Sequence, residues 1–300
     1  MCGIVGLFIK NPALESQLGS LLAPMLVEMT ERGPDSAGVA FYRNTVATGS
    51  SKVTLLNQDS TLSWENISTQ LKEKFGNSTS IEIRFTHAVV ITPSDSNTVL
   101  TWLSEKFPQL YVTSSGTTIE IYKDKGIPSD VIDRFDLTAL QGTHALGHTR
   151  MATESAVTTE HSHPFSTGLD LCLVHNGSLS NHNRLRRKLQ REGVEFKTDN
   201  DSEVAAGYLM WRIREGDTLN EALENAIEDL DGFYTFAVGT RDGFAVLKDP
   251  IGCKPAIMAE TDDWAAMASE FRAIASLPGV ENANIWEPEP EKIYSWARAK

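Results

Sequence analysis

Cys2, in the opening stretch MCGIVGLF, is the residue of this chain best suited to covalent chemistry. If Met1 is removed, Cys2 carries both a thiol and a free α-amino group, and in free form both groups titrate within roughly two pH units of neutrality. The amine can then act as a base toward the thiol of its own residue, as in N-terminal nucleophiles. On Cys2 alone, an inert cysteine buried in a strand is the favoured alternative, because most free cysteines are structural.

Three other stretches contain groups that an amide-cleaving thiol needs. Arg150 in GHTRMAT suits bidentate capture of a carboxylate, although alone it equally fits a surface salt bridge. Asn176 and Gly177 in VHNGSLSN could offer an amide and an unhindered N–H to an oxyanion, or form a two-residue hairpin turn. Asp201 in TDNDSEVAA could cap a helix, bind an ammonium group, or do both.

The apolar pattern predicts the elements that position these residues. Residues 4–9 and 39–43 are typical of strands, and residues 201–216 of a helix ended by glycine. Residues 81–91 predict one strand within a segment, 44–142, that is typical of a small αβ subdomain. Strands near both ends of the chain with helices between them indicate an α+β fold, in which stacked antiparallel sheets are covered by helices.

Composition narrows the class of protein. The chain has 300 residues, a formal net charge of −13 and a sequence pI of about 5.0, which argues against binding to nucleic acid or to an anionic membrane. It has no run of roughly 18 apolar residues and no signal peptide at its start. Three cysteines are too few and too scattered for a disulfide framework, so we expect a cytoplasmic protein.

Five histidines lie close together in the sequence, which raises the question of a metal site. Their spacings match no metal-binding motif, so we predict no metal in this chain. These histidines are His144, His148, His161, His163 and His175.

Seven motifs occur in a fixed order: MCGIVG, RGPDSAG, GHTRMAT, HSHPF, VHNGSLSN, TDNDSE and KDPIGCKP. In this set the chain resembles the class II glutamine amidotransferases, a branch of the N-terminal nucleophile hydrolases, over residues 2–43 and about 143–275. The resemblance implies a four-layer αββα sandwich of two antiparallel sheets. It implies an amidotransferase domain over 2–285, interrupted by a small αβ subdomain at 44–142 and followed by a C-terminal strand or tail at 286–300.

The resemblance also implies a reaction. Cys2 would attack the side-chain amide of glutamine, its α-amine would relay the proton to the departing ammonia, and water would hydrolyse the γ-glutamyl thioester. Asn176 and Gly177 match the oxyanion hole of the family. The resemblance therefore implies that this chain contains no cofactor.

Five further residues match positions that surround glutamine in the family. Arg150 matches the arginine that holds the α-carboxylate, and Asp201 matches the aspartate that holds the α-ammonium. Arg32 matches an arginine near the nucleophile, and Thr153 and His163 match residues that line the glutamine pocket.

The chain stops about 25 residues after its last glutaminase motif, which leaves no room for an acceptor domain in it. It resembles the amidotransferase subunit of split glutamate-synthase-like enzymes, including N-methylglutamate synthase. Partners would then be separate synthase subunits resembling the flavin and iron–sulfur domain and the C-terminal domain of glutamate synthase. FMN and iron–sulfur clusters are expected only on such a partner.

Several alternatives stay open at this point. The chain could be a non-catalytic or regulatory subunit that binds an amino acid, or could cleave a γ-glutamyl amide other than glutamine on the same fold. Segment 44–142 could serve subunit docking or gating, or could be a decorative surface insertion.

Overall fold

The computed structural model describes residues 2–152 and 157–298 of the chain. Its strands pair antiparallel in three sheets of seven, five and four strands, and α-helices cover the sheets. In chain order the strands are β1 Gly3–Ile9, β2 Ser36–Tyr42, β3 Ser51–Leu56, β4 Ser80–Arg84, β5 His87–Thr92, β6 Tyr111–Gly116, β7 Ile119–Lys125, β8 His144–Arg150, β9 Phe165–Gly168, β10 Leu171–Leu179, β11 Gly232–Thr240, β12 Gly243–Lys248, β13 Ile257–Glu260, β14 Trp264–Ala268, β15 Asn284–Trp286 and β16 Tyr294–Ala297. The helices are α1 Leu18–Val27, α2 Trp64–Phe75, α3 Ser96–Lys106, α4 Pro128–Phe135, α5 His182–Arg191, α6 Asp201–Arg214, α7 Leu219–Asp229 and α8 Phe271–Ile274.

Two of the sheets stack face to face. The seven-stranded sheet has the order β15-β13-β14-β1-β8-β2-β7, and the five-stranded sheet has the order β16-β12-β11-β10-β9. Their facing sides share an apolar core that includes Ile4, Leu146, Val174 and Phe244. Helices α1, α4 and α8 pack on the outer side of the larger sheet, and α5, α6 and α7 pack on the outer side of the smaller one. The predicted αββα sandwich is confirmed.

Strand β1 shows how the sequence specifies this layering. It lies between β14 and β8, and every one of its residues is buried. Val5 and Leu7 face α1, whereas Ile4 and Phe8 face the smaller sheet, because side chains alternate across a strand. Because both faces of β1 are buried, the sequence that follows Cys2 is an unbroken apolar run.

The third sheet forms a separate unit with α2 and α3. Its order is β4-β5-β3-β6, so its strands come from residues 51–116, inside the segment 44–142. The rest of that segment includes β7, which pairs with β2 at the edge of the seven-stranded sheet. The prediction of one strand over 81–91 is wrong. Two strands, β4 and β5, form a hairpin there, because Phe85 adopts a left-handed backbone with φ of 53°.

A buried carboxylate fixes this unit to the sandwich. Asp170, just before β10, is 5% exposed and accepts hydrogen bonds from the main-chain N–H groups of Thr117, Thr118 and Ile119 at 2.8–3.0 Å. The hydroxyls of Thr117 and Thr118 also donate to it. The turn between β6 and β7 is therefore held against the five-stranded sheet by one side chain.

Asp170→Asn is expected to lower the free energy of unfolding by about 3 kcal/mol, because an amide loses the charge and turns one acceptor into a donor that faces N–H groups. Urea unfolding of the purified chain measures this loss. Asp242→Asn is the matched control, since the exposed Asp242 carboxylate forms an ion pair with exposed Arg241, and it should stay within about 0.5 kcal/mol of wild type. Equal stability of both variants would contradict the role of Asp170.

Among the described residues, no helix is both long and apolar enough to cross a membrane.

Candidate active site

Strand pairing brings Cys2 and Arg150 together. Strand β1 runs antiparallel to β8, with Gly3 opposite Thr149, so the residue that precedes β1 lies beside the residue that ends β8. The Cys2 thiol is half-buried and forms no disulfide. Arg150 is 6% exposed and lies opposite Ser36 of β2. The predicted nucleophile and the predicted carboxylate clamp therefore share one end of the seven-stranded sheet.

Arg32 fixes the main chain of the nucleophile. Its Nε donates to the carbonyl oxygen of Cys2 at 3.1 Å, and its Nη1 forms an ion pair with Glu270 at 2.8 Å. The hydrogen bond from Arg32 lowers the pKa of the Glu270 carboxyl, so Glu270 is a charged anchor at neutral pH. Sequence reasoning found Arg32 but missed Glu270, which lies in no motif that carried the resemblance.

The loop that follows Arg32 packs tightly on the end of β8. A Cβ at Gly33 would lie 2.5 Å from the backbone nitrogen of Arg150, so only glycine permits this approach. The N–H of Asp35 donates to the carbonyl of Arg150 at 3.1 Å, and its carboxylate accepts from the N–H of Ala152 at 2.8 Å. These contacts hold the backbone on both sides of Arg150, and they give the RGPDSAG stretch a structural role.

Asn176 and Gly177 lie within strand β10, opposite Thr235 and Tyr234 of β11. The hairpin-turn alternative is therefore wrong. Asn176 shares its face with Val174, so it points toward the seven-stranded sheet, where Cys2 lies. Gly177 has a φ of 153°, and a Cβ there would lie 2.0 Å from the carbonyl oxygen of Phe233. This position requires glycine and leaves its backbone uncovered by a side chain.

His175 points the other way, toward α6. Its Nδ1 lies 2.8 Å from the hydroxyl of Ser202, and its Nε2 lies 2.8 Å from the place of a Cβ on Gly177. Burial lowers the pKa of His175, which keeps the imidazole neutral at pH 7. The ring of His148 reaches the carbonyl of His175 from the other sheet, with Nε2 to O at 3.2 Å. The two sheets are thus linked beside the predicted oxyanion hole.

Asp201 is the first residue of α6, and Asn200 is the residue that caps the helix. The Asn200 side chain accepts from the N–H of Ser202 at 2.8 Å, so the predicted capping role of Asp201 is wrong. One oxygen of Asp201 accepts from the N–H of Leu179 at 2.9 Å, and its side chain stays 22% exposed. This carboxylate is held in place yet accessible, as an ammonium ligand requires.

His163 stacks on His148, with ring centroids 3.9 Å apart and planes 11° from parallel. Burial lowers the pKa of both imidazoles, that of His148 to about 3, so both are neutral at pH 7. Thr153, the remaining predicted pocket residue, lies outside the described residues.

Several residues described above carry a buried polar atom that has no hydrogen-bond partner in the described residues, and other such atoms lie elsewhere in the fold. Buried polar groups are usually satisfied, so these atoms have spare capacity to bond a polar ligand. The atoms in question are Arg32 Nη2, His148 Nδ1, His163 Nδ1, His175 Nε2 and Asn176 Nδ2.

The arrangement combines a half-buried thiol, a buried arginine, an accessible carboxylate and an amide that points toward the sheet at whose end the thiol lies. This set suits acyl transfer from an amide whose substrate carries a carboxylate and an ammonium group. Within residues 2–152 and 157–298, no group of three or more His, Cys, Asp or Glu side chains is placed to hold a metal ion.

Comparison with known proteins agrees with this chemistry. Residues 148–276 match the family model described as a glutamine amidotransferase domain. The chain is 52% identical to the glutamine amidotransferase-like protein GlxB of Rhizobium meliloti (strain 1021), covering 100% of this chain and 99% of that protein. It is 31% identical to a putative glutamine amidotransferase of Methanothermobacter thermautotrophicus, with 98% and 99% covered.

A solved structure shares the fold. Glutamine phosphoribosylpyrophosphate amidotransferase from B. subtilis, complexed with ADP and GMP, matches with a TM-score of 0.61 at 21% identity, over 99% of this chain and 49% of that one. At this identity the match shows that the two proteins share a fold, and it shows nothing about function. The two relatives that match over almost their whole length show that the chain belongs to the class II glutamine amidotransferase family.

Proposed function

We propose that this chain is a glutaminase that hydrolyses glutamine to glutamate and ammonia through a thioester on Cys2. The observation that carries the proposal is the pairing of β1 with β8, which sets Cys2 beside Arg150, while Asn176 lies on the face of β10 that is directed at this sheet. The Asp201 carboxylate is held at the end of β10 by the N–H of Leu179. A subunit that only binds an amino acid would need the two clamps but would not need the thiol.

In the proposed reaction, removal of Met1 frees the α-amine of Cys2. That amine takes the thiol proton while sulfur bonds to the amide carbon of glutamine, and the carbonyl oxygen becomes an oxyanion. Asn176 Nδ2 and the N–H of Gly177 stabilise the oxyanion, and the same amine gives its proton to the departing ammonia. Water then cleaves the thioester, which releases glutamate and restores the thiol.

The substrate is held by charge at its far end. Arg150 would bind the α-carboxylate, and Asp201 would bind the α-ammonium. His148 and His163 stay neutral at pH 7, so they add hydrogen-bonding atoms without competing for either charge. Both clamps leave the γ-amide end directed at Cys2.

We further propose that the ammonia is used by a separate synthase subunit of the glutamate-synthase-like type, with N-methylglutamate synthase as one such system. Flavin and iron–sulfur clusters would lie on that subunit and not on this chain. Support comes from the resemblance of the sequence motifs to the amidotransferase subunit of such split enzymes and from the cost of uncoupled hydrolysis, which wastes glutamine.

The direct test measures glutamate and ammonia formation from glutamine by the purified chain, alone and with candidate synthase subunits. We expect measurable turnover, with stimulation by the correct partner and co-purification of the two. Mass spectrometry of the active chain should show that Met1 is absent. No turnover in either condition, from a chain that begins with Cys2, would refute the proposal.

Asp201→Asn is expected to raise KM for glutamine by about 10- to 100-fold, because a hydrogen bond to a charged partner contributes about 1.5–3 kcal/mol. The expected change in kcat is much smaller, since the ammonium contact is made equally in ground and transition states. Steady-state kinetics separates the two quantities. Asp231→Asn, which changes a surface carboxylate bonded to Ser180, serves as the control. A fall in kcat with KM unchanged would remove Asp201 from the ammonium site.

A further inference from the structure

Lys123 is a buried lysine that has no part in the reaction described above. It belongs to β7 and is 1% exposed, and within residues 2–152 and 157–298 no carboxylate lies at ion-pair distance from its ammonium. Burial lowers its pKa to about 7, although the carboxylates of Glu203 and Glu160 oppose this from a longer distance. Buried lysines are usually paired, so the groups that hold this one indicate what it does.

The Lys123 ammonium is held by main-chain carbonyls of residues 158–164, which we call the His163 loop. It donates to the carbonyl oxygen of Ser162 at 2.8 Å and to that of Glu160 at 3.1 Å. It also lies 4.9 Å from the ring centre of Phe165, directly after the loop. Hydrogen bonds to a charged donor are stronger than neutral ones, so this ammonium fixes the loop backbone firmly.

The His163 loop lies against the seven-stranded sheet at a glycine. Gly38 of β2 is opposite Lys123 of β7 on one side and opposite His148 of β8 on the other, so the three residues form a row across the sheet. A Cβ on Gly38 would lie 2.2 Å from the carbonyl oxygen of His163. Only glycine therefore permits the loop backbone to contact the sheet at the middle of this row.

The position of this loop determines the position of a predicted pocket residue. His163 follows Ser162 directly, and its ring stacks on that of His148 with centroids 3.9 Å apart. Its Nδ1 atom is buried without a hydrogen-bond partner in the described residues, so it has the capacity to bond a polar ligand. If the loop moved away from Lys123, this atom and the stacked ring would move with it.

A second anchor holds the start of the same loop. The Thr159 hydroxyl donates to the Asp124 carboxylate at 2.8 Å and accepts from the Gln58 amide at 3.0 Å. Asp124 follows Lys123 in β7, and Gln58 lies just after β3 of the four-stranded unit. Both anchors therefore come from the segment 44–142, which contacts the loop that carries His163.

We propose that Lys123 is a positioning residue of the glutamine site, because its ammonium holds the carbonyls of Glu160 and Ser162 and thereby keeps His163 stacked on His148 in the pocket. The effect on glutamine rests on the proposed function, whereas the effect on the loop does not. A pocket wall contacts the substrate equally in ground and transition states, so loss of Lys123 should raise KM more than it lowers kcat.

The kinetic test is Lys123→Met, because methionine has a similar length but donates no hydrogen bond. KM for glutamine should rise by about tenfold or more, with kcat within about threefold of wild type. Lys52→Met is the matched control: Lys52 is 3% exposed, but it donates to Glu120 and makes no contact with the His163 loop among the described residues. Both constants should stay near wild type for it, and circular dichroism verifies that each variant is folded.

The position of the loop is measured separately by NMR of the chain with isotope-labelled histidine, of which it has seven. Stacking shifts the ring protons of His163 upfield, and His163→Gln assigns them. Lys123→Met should abolish this shift, and Gly38→Ala should do the same, because its methyl group displaces the loop from the sheet side. Lys52→Met should retain it.

Two results would overturn the role of Lys123. One is an unchanged His163 resonance in Lys123→Met, and the other is an unchanged KM although the upfield shift is lost. Failure of the proposed function looks different, because wild type would then show no glutamine turnover while the NMR spectra would still show whether Lys123 positions His163.

Discussion

Cys2→Ala is expected to lower kcat for glutamine hydrolysis by on the order of 10⁴-fold, because removal of a covalent nucleophile leaves only binding and oxyanion stabilisation. The expected KM stays within a few-fold of wild type, since alanine leaves both clamps in place. Released glutamate, measured over hours with anaerobically purified protein, makes a rate that is lower by this factor detectable. Alanine is small enough to keep β1 paired with β8 through Gly3 and Thr149.

The chain offers its own control. Cys253 is an exposed free cysteine, so Cys253→Ala tests whether loss of any accessible thiol has the same effect. Wild-type turnover is expected for that variant. Equal activity of wild type and Cys2→Ala would overturn the mechanism, and loss of activity in both variants would indicate general sensitivity to thiol removal instead of nucleophilic catalysis.

The layers of the fold could be predicted because the spacing of apolar residues along an element shows which of its faces are buried. The run at residues 4–9 is apolar on both faces since β1 lies in the middle of the seven-stranded sheet with helices on one side and a second sheet on the other. Thr218 and Glu221 stand three positions apart, which is the spacing of a capping box, and both hydrogen bonds of that box are present at the start of α7. These features depend on neighbours in the sequence, so local patterns carry them.

Predictions from local sequence patterns were wrong where the chain reverses without a glycine and where two neighbouring residues could both cap a helix. The turn at Phe85 carries no glycine, so an apolar run that the structure divides into two strands was predicted as one. Asn200 precedes Asp201 and takes the capping role, because either residue type caps well and only the helix start selects between them. Spacing alone could not separate these cases.

Contacts between residues that lie far apart in the sequence could not be predicted either. Glu270 contacts Arg32 across 238 positions, and nothing in its surrounding residues signals an ion pair. Asp170 similarly holds a turn more than 50 positions earlier. The predicted catalytic residues, in contrast, lie in short motifs, with Cys2 directly before β1 and Asn176 and Gly177 in the second half of β10.

Asn176→Asp is expected to lower kcat by about 10²- to 10³-fold, the usual effect of removing one oxyanion donor. Asparagine and aspartate have nearly the same shape, so the substitution exchanges the buried, unpartnered Nδ2 for an acceptor oxygen. That oxygen would repel the oxyanion that Asn176 is proposed to stabilise. Pairing of β10 with β11 uses main-chain groups and should be unaffected.

The kinetic constants separate the proposed role of Asn176 from a merely structural one. An oxyanion donor acts only when negative charge develops, so kcat should fall while KM for glutamine changes little. Asn66→Asp on α2, whose exposed side-chain oxygen keeps its acceptor role toward Gln70, should leave both constants as in wild type. A rise in KM with kcat preserved would place Asn176 in ground-state binding, and the oxyanion would then depend on Gly177 alone.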